Sequence, residues 1–297
     1  MTVAVKIKLS VLLGNYPNAM ALKKGEVKSD LVDLDFADVK VSNTAFKPLV
    51  REAKFDVAEL AIVTYLQAKT YNKPYVLMPA TVLGRGQHHT IAYNPERGHL
   101  TAAQLAGKKV GVRAYTQTTG AWVRGFLADD YGVDPLSIRW VTFEDPHLAE
   151  YKDPDFVTRA TAGDTIVQML LDGKLDAAIV GDTLPDPRLK PLIPDADAVA
   201  KHWAQTHGGV PVNHMMVVRQ SIAEQHQDVV KEVYRMLLAS RRVVPPPQGG
   251  LLDPWRFGVD ANRRSLEIII DYSVRQKLIP RAFSVDELFD DTTRALA

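Results

Sequence analysis

The sequence predicts an α/β protein built as two lobes about a central cleft, and three observations carry that prediction. The chain opens as strand, loop and helix, and a second β-then-α series recurs between residues 109 and 180. At 297 residues one large domain or two lobes are both allowed, and the chain approaches the length at which a single hydrophobic core stops growing, which favours two lobes.

From the N-terminus, Val3 to Leu12 alternates as a strand, Gly14 to Asn18 forms a loop, and Ala19 to Lys24 forms a short helix ended by Gly25. Leu31 to Phe36 and Lys40 to Ser42 supply a second strand region. Ala45 to Ala53 carries helical spacing at Phe46, Leu49, Val50 and Ala53, and Val57 to Val63 is a short apolar piece. Tyr75 to Pro79 is the next strand, followed by the turn Gly84 to His89 and the extended piece Thr90 to Tyr93. Asn94-Pro95-Glu96-Arg97-Gly98 then breaks the pattern, and a lobe crossing is expected there.

Thr101 to Leu105 reads as a short helix with a Thr cap, Lys109 to Arg113 as a strand and Thr119 to Asp130 as a helix. Trp140 to Phe143, Asp164 to Leu171 and Ala177 to Val180 repeat the alternation, which gives a three-strand βαβαβ lobe. Prolines between Pro185 and Pro194 mark an exposed connection, and His214 to Val218 returns as a strand. Ala223 to Arg241 is a long amphipathic helix stopped by Pro245-Pro246-Pro247. Arg263 to Gln276 forms another helix, and Ser284 with Glu287 starts a third through a capping box. The expected layout is a discontinuous first lobe, 1–92 plus 208–297, with a second lobe, 93–207, inserted into it. Two crossings imply a hinge, and a small ligand belongs in the cleft.

Composition narrows the function. Thirty-six Lys and Arg against 35 Asp and Glu leave a net charge of +1, so no global field draws nucleic acid or an anionic membrane. With no cysteine there is no disulfide, thiolate nucleophile or thiolate metal site. No apolar run reaches the roughly 18 residues of a membrane span. The alternating N-terminus, Met1 to Leu9, lacks the apolar stretch of a secretory signal, so a cytoplasmic location is expected. The glycine-rich nucleotide loops, the G-x-S-x-G elbow and the H-E-x-x-H motif are all missing, which argues against nucleotide binding, serine hydrolysis and zincin chemistry.

The most informative pattern is Val110 to Gly120, where a strand ends in a hydroxyl-rich loop (Thr116, Thr118, Thr119) and a helix begins. Free backbone N–H groups and the positive end of the helix dipole converge there, and Arg113 adds a two-pronged donor, an arrangement suited to a carboxylate. An N-capped helix with a surface Arg fits the same residues. His88 and His89, beside Arg85, sit at the expected cleft edge and offer acid/base groups near neutral pH, although an exposed loop pair fits them too. His214 with Asn213 lies at the second crossing, where a structural imidazole is the alternative. Asp182 stands at the C-terminal end of a buried strand. Glu144, His147 and Glu150 repeat at three-residue spacing, but Pro146 impedes a helix there, and a solvated, partly helical loop, which can still close over the cleft, explains them better than a metal site.

Taken together, GVRAYTQTTGAWVRG (111–125), EDPHLAEYKDP (144–154), LDGKLDAAI (171–179), PVNHMMVVR (211–219) and DPWRFGVDANRRSLE (253–267) resemble the 4,5-dihydroxyphthalate decarboxylase family, in the same order along nearly the whole chain. The resemblance implies the type 2 periplasmic-binding-protein fold and a cofactor-independent decarboxylase acting on a small aromatic carboxylate. Each carboxylate of 4,5-dihydroxyphthalate lies para to a hydroxyl, so electron release from that phenol lets the ipso carbon take a proton before CO2 leaves.

On this reading, Arg113 with Thr116 and the Thr118/Thr119 helix start holds a carboxylate, with Arg85 and Asn213 beside it. His89 or His88 together with His214 exchanges protons, and Glu59 or Asp182 orients them. A non-catalytic receptor for a small carboxylate needs the same clamp without the proton donor. Oligomeric state stays open: the terminal helix and the Pro245 to Gly250 loop can either meet a partner or pack on the first lobe.

Overall fold

The structure, a computed structural model, describes residues 5–248 and 252–297. Met1 to Ala4, where the alternating strand pattern begins, and Gly249 and Gly250 of the proline-rich loop lie outside the described residues.

Among the described residues the strands are β1 (Ile7–Leu12), β2 (Val32–Phe36), β3 (Val57–Ala61), β4 (Tyr75–Gly84), β5 (Ile91–Tyr93), β6 (Lys109–Val112), β7 (Arg139–Thr142), β8 (Val157–Arg159), β9 (Ala177–Ile179), β10 (Lys190–Pro191) and β11 (Val212–Arg219). The helices are α1 (Met20–Lys23), α2 (Phe46–Glu52), α3 (Ile62–Thr70), α4 (Thr118–Tyr131), α5 (Ile166–Leu171), α6 (Ala196–His207), α7 (Gln220–Gln225), α8 (Gln227–Arg242), α9 (Val259–Arg275) and α10 (Asp291–Arg294). They build two sheets, in the orders β2-β1-β3-β11-β4 and β10-β5-β9-β6-β7-β8. The mixed α/β architecture expected from the sequence is therefore the one observed.

Each sheet combines parallel strands with antiparallel strands supplied by chain that crosses over, β11 inserted between β3 and β4 in the first and β5 beside β9 in the second. The chain leaves the first sheet after Gly84, joins the second at Ile91, and returns to the first at Val212. β5 and β10 on one side and β8 on the other extend the second sheet beyond the three strands expected, Ile91 and Ala92 pairing with Ile179 and Ala178, and Trp140 with Val157.

The sheets do not stand apart as a bare hinge. One apolar core runs from Leu12 and Ala58 in the first sheet to Val110 and Val112 in the second, through Trp122 and Phe126 of α4 and Ile269 and Tyr272 of α9. Gly125 sets the α4/α9 distance, since a Cβ there would lie 1.9 Å from the Tyr272 ring.

Local chemistry explains most departures from the expected elements. Lys40 to Ser42 is a turn leading into a 3-10 turn, not a strand. Val57 to Val63 divides, with β3 ending at Ala61 and α3 beginning at Ile62; both halves are buried, so the apolar run conceals the change. The long helix breaks at His226 into α7 and α8. The Ser284/Glu287 capping box forms, with Glu287 Oε2 accepting from Ser284 N–H at 2.6 Å, but encloses only a 3-10 turn. α6 was not expected, because its face is mostly polar and only Trp203 is buried.

Candidate active site

A cavity of about 310 Å³ opens between the sheets, large enough for a single-ring aromatic acid. Its walls come from the loop after β1 (Tyr16), the turn before α2 (Ser42) and Phe46. The starts of α3 (Ala61, Thr64) and α4 (Gln117, Thr118, Thr119), the end of β4 and the start of β11 complete them together with Arg113 and His147.

One wall holds a buried charged array. Glu59, with no solvent exposure, accepts the Gly14 N–H on Oε1 at 2.8 Å and faces His214 Nδ1 with Oε2 at 3.1 Å. Burial alone would push the Glu59 carboxyl up, but hydrogen bonding and charge from His214, with smaller help from Ser42 and Tyr16, hold it below its ordinary value. Glu59 is therefore ionised at neutral pH, and His214 must donate its Nδ1–H to it, which leaves Nε2 as the nitrogen that can exchange a proton.

The Tyr16 hydroxyl lies 3.3 Å from His214 Nδ1. Burial and the Glu59 charge drive its pKa far above that of a free phenol, so it stays protonated. Gly14 is required by this turn, since a Cβ there would meet the Tyr16 ring at 2.8 Å. Pairing of β11 with β4 shifts register on both sides of His214, and the irregularity lets consecutive residues Asn213 and His214 both line the cavity, where a regular strand would turn one away.

The other wall is electropositive. The first turns of α3 and α4 both open on the cavity, and Thr118 Oγ1 accepts the Val63 N–H at 3.2 Å, joining the two helix starts. Their dipoles reinforce Arg113, whose Nη1 lies 3.2 Å from Glu144 Oε2. Arg85, bonded to Asp182 at 2.6 Å, closes one side. Asn213 donates to Thr119 Oγ1 at 3.4 Å and accepts from Gln87, which anchors the wall behind the α4 start.

His147 enters from the 144–154 loop and bonds Thr64 Oγ1 through Nδ1 at 2.8 Å. Burial, with the neighbouring positive charge of Arg113 and Lys47, pulls its pKa down to about 3, so it is neutral at pH 7. Phe46 sits edge-on to both His214 and His147, at 5.2 and 5.5 Å.

The structure thus gathers Glu59, His214, Asn213, Arg113, Thr118, Thr119, Arg85 and Asp182 at one cavity. It does not place His88, His89 or Thr116 on its walls. Residues 88–90 form a 3-10 turn that closes the turn expected over Gly84 to His89 and takes in Thr90, so the extended piece begins at Ile91. His88 is fully buried and stacked on Phe126 at 4.0 Å, and burial lowers its pKa to about 4. His89 lies behind the Arg85–Asp182 pair, 3.3 Å from Asp182, on a neighbouring cavity. Thr116 is buried in the loop beneath.

Sequence reasoning missed Tyr16, Ser42, Phe46, Thr64 and Gln117, and treated His147 as part of a solvated loop. The three-residue spacing assembles no common site, as expected, since Glu144 pairs with Arg113 and Glu150 with Lys73; of the three only His147 lines the cavity. The recurrence of that loop among the family-like segments was the available signal.

No protein-family model matches the chain. It is 32% identical over 235 residues to a 4,5-dihydroxyphthalate decarboxylase of Comamonas testosteroni, covering 74% of this chain and 71% of that protein. It is 31% identical over 212 residues to a 4,5-dihydroxyphthalate decarboxylase of Pseudomonas putida, covering 67% and 81%. Among solved structures it is similar to the alkanesulfonate-binding protein SsuA of Xanthomonas axonopodis pv. citri, with a TM-score of 0.57 at 11% identity over 97% of this chain and 99% of that one. The desulfurization enzyme DSZB matches with a TM-score of 0.53 at 13% identity over 97% and 98%. At such identities the structural likeness establishes the two-lobe periplasmic-binding-protein fold alone.

Proposed function

The chain belongs to the 4,5-dihydroxyphthalate decarboxylase family, and from this premise we propose that it removes CO2 from a hydroxylated aromatic carboxylate, 4,5-dihydroxyphthalate foremost, leaving 3,4-dihydroxybenzoate. The observation that carries the reading is the pairing, at one cavity, of the buried Glu59–His214 array with an electropositive wall of Arg113 and two helix starts.

Each part has a task. Arg113 and the α4 N-terminus hold the carboxylate that stays, through charge-assisted hydrogen bonds. His147, kept neutral, accepts the hydrogen bond of the phenol para to the departing carboxylate and favours electron release into the ring. His214 delivers a proton from Nε2 to the ipso carbon, and the ionised Glu59 balances the imidazolium charge before that transfer.

The C–CO2 bond then breaks, its electron pair restores the aromatic ring, and His214 recovers a proton from solvent. One proton is consumed and one CO2 released for each turnover. A cavity closed from bulk water favours this step, because the departing group loses its charge.

The reading is tested by incubating the protein with 4,5-dihydroxyphthalate and following CO2 and 3,4-dihydroxybenzoate, with His214→Ala in parallel. Turnover by the native chain and its loss in the variant support the proposal. Tight binding without CO2 release from this or related hydroxybenzoates would instead make the chain a carboxylate receptor.

A further inference from the structure

Arg124, on α4, has no solvent exposure, and no carboxylate bonds it among the described residues. Its Nε donates to Gln276 Oε1 at 2.7 Å and its Nη2 to the Tyr115 carbonyl at 2.7 Å, while Nη1 has no hydrogen-bond partner. The guanidinium lies 4.1 Å from the Tyr115 ring centroid and 5.1 Å from that of Trp140. Asp153 acts on this charge through space without bonding it, and a buried cation so held is a costly way to fill a core, where an apolar side chain of similar volume would serve packing better.

Its place explains why it is there. Nη1 lies 3.1 Å from where a Cβ on Gly120 would stand, so the charge sits against the first turn of α4, whose Thr118 and Thr119 line the cavity. The Tyr115 carbonyl it grips belongs to the loop that joins Arg113 to Gln117. Gln276, just past the end of α9, completes the brace by donating to the Ala121 carbonyl at 2.8 Å, and the Tyr115 hydroxyl donates to the Gln276 carbonyl at 3.1 Å.

We infer that Arg124 is a positioning residue of the anion site: a buried cation behind the α4 N-terminus that adds its field to the helix dipole and fixes the Arg113–Gln117 loop, without touching the ligand. The inference rests on the proposed reading of the cavity as a carboxylate site. In a medium shielded from water the field of such a charge is little screened by salt, unlike that of Arg113 at the cavity wall.

A role confined to packing would weaken every ligand alike, whereas a field acts on charge. The test therefore compares binding of 4,5-dihydroxyphthalate, a dianion, with catechol, its uncharged ring, by calorimetry at low and high salt. The proteins compared are the native chain, Arg124→Met, Arg124→Lys and Gln276→Met. Arg124→Met is expected to weaken the dianion at least tenfold and catechol less than threefold, with Arg124→Lys recovering part of the difference. Gln276→Met loosens the brace but keeps the charge, so it should retain most of the preference for the dianion and stands in if Arg124→Met fails to fold.

Equal losses for both ligands in the Arg124 variants, or a dianion preference abolished by Gln276→Met as fully as by Arg124→Met, would overturn the inference. Failure of the native chain to bind the dianion would instead count against the carboxylate site itself.

Discussion

Replacing His88 by leucine should make the protein more resistant to acid and leave its chemistry intact. Both ring nitrogens of His88 are buried without a hydrogen-bond partner, and the ring stacks on Phe126 with an interplanar angle of 3°. Burial is the leading reason that its pKa falls from 6.5 to about 4. In the unfolded chain His88 takes a proton near pH 6.5, whereas in the folded chain it does so only near pH 4. Between those values the unfolded state binds more protons, so stability is lost as pH falls.

At 1.36 kcal/mol per pKa unit, the whole window is worth about 3 kcal/mol, of which about 2 kcal/mol falls between pH 7 and pH 5. Leucine has nearly the same volume and no proton to bind. Urea unfolding of the native chain and His88→Leu at pH 7 and pH 5 should therefore show an acid loss smaller by about 2 kcal/mol in the variant. The variant should also gain roughly 1–3 kcal/mol at pH 7 from removing two unsatisfied polar atoms. The proposed decarboxylation should persist, because His88 does not line the cavity. An unchanged acid loss would refute the electrostatic argument, and loss of turnover in a folded variant would refute the placement of His88 outside the site.

Three further outcomes follow from the geometry. Glu59→Gln keeps an acceptor for the Gly14 N–H but removes the charge that orients His214, so kcat should drop about 10²- to 10⁴-fold with the circular dichroism spectrum unchanged; a kcat within about threefold of native would rule the array out as the proton relay. Arg113→Gln removes a charged donor from the anion wall and should raise KM about 10- to 100-fold in steady-state kinetics, with an unchanged KM counting against the clamp. Gly125→Ala forces a methyl into the Tyr272 ring and should cost at least about 3 kcal/mol, seen as a Tm lower by roughly 5–10 °C; a shift of less than about 2 °C would mean that α4 and α9 can separate freely.

The fold was legible because hydrophobic periodicity is a local signal. The strand at 109–112, the helix from Thr118 and the buried strand at 177–179 appear within a residue or two of where patterning puts them. The pattern failed where burial is complete on every side, as in the run from β3 into α3. It failed too where a helix is mostly polar, as in α6. The site was half legible. Arg113 and the Thr118/Thr119 start could be found because strand, loop and helix are contiguous in sequence, and His214 because it follows the crossing. Tyr16, Thr64 and His147 come from three separate segments, and no local spacing relates them.

What the sequence determined by itself was the α/β class and, in a chain of net charge +1, the lack of any global field, so that an anionic ligand would need a local device to hold it. Those properties follow from nearest-neighbour chemistry and from charge counting. Only the tertiary structure decided which histidine meets which carboxylate. His88 and His89 differ by one position, yet a 3-10 turn sends one into the apolar core and the other to Asp182, while β11 carries His214 to a glutamate 155 residues away. Proton chemistry depends on distances of about 3 Å and on burial, and both are set by how distant segments pack.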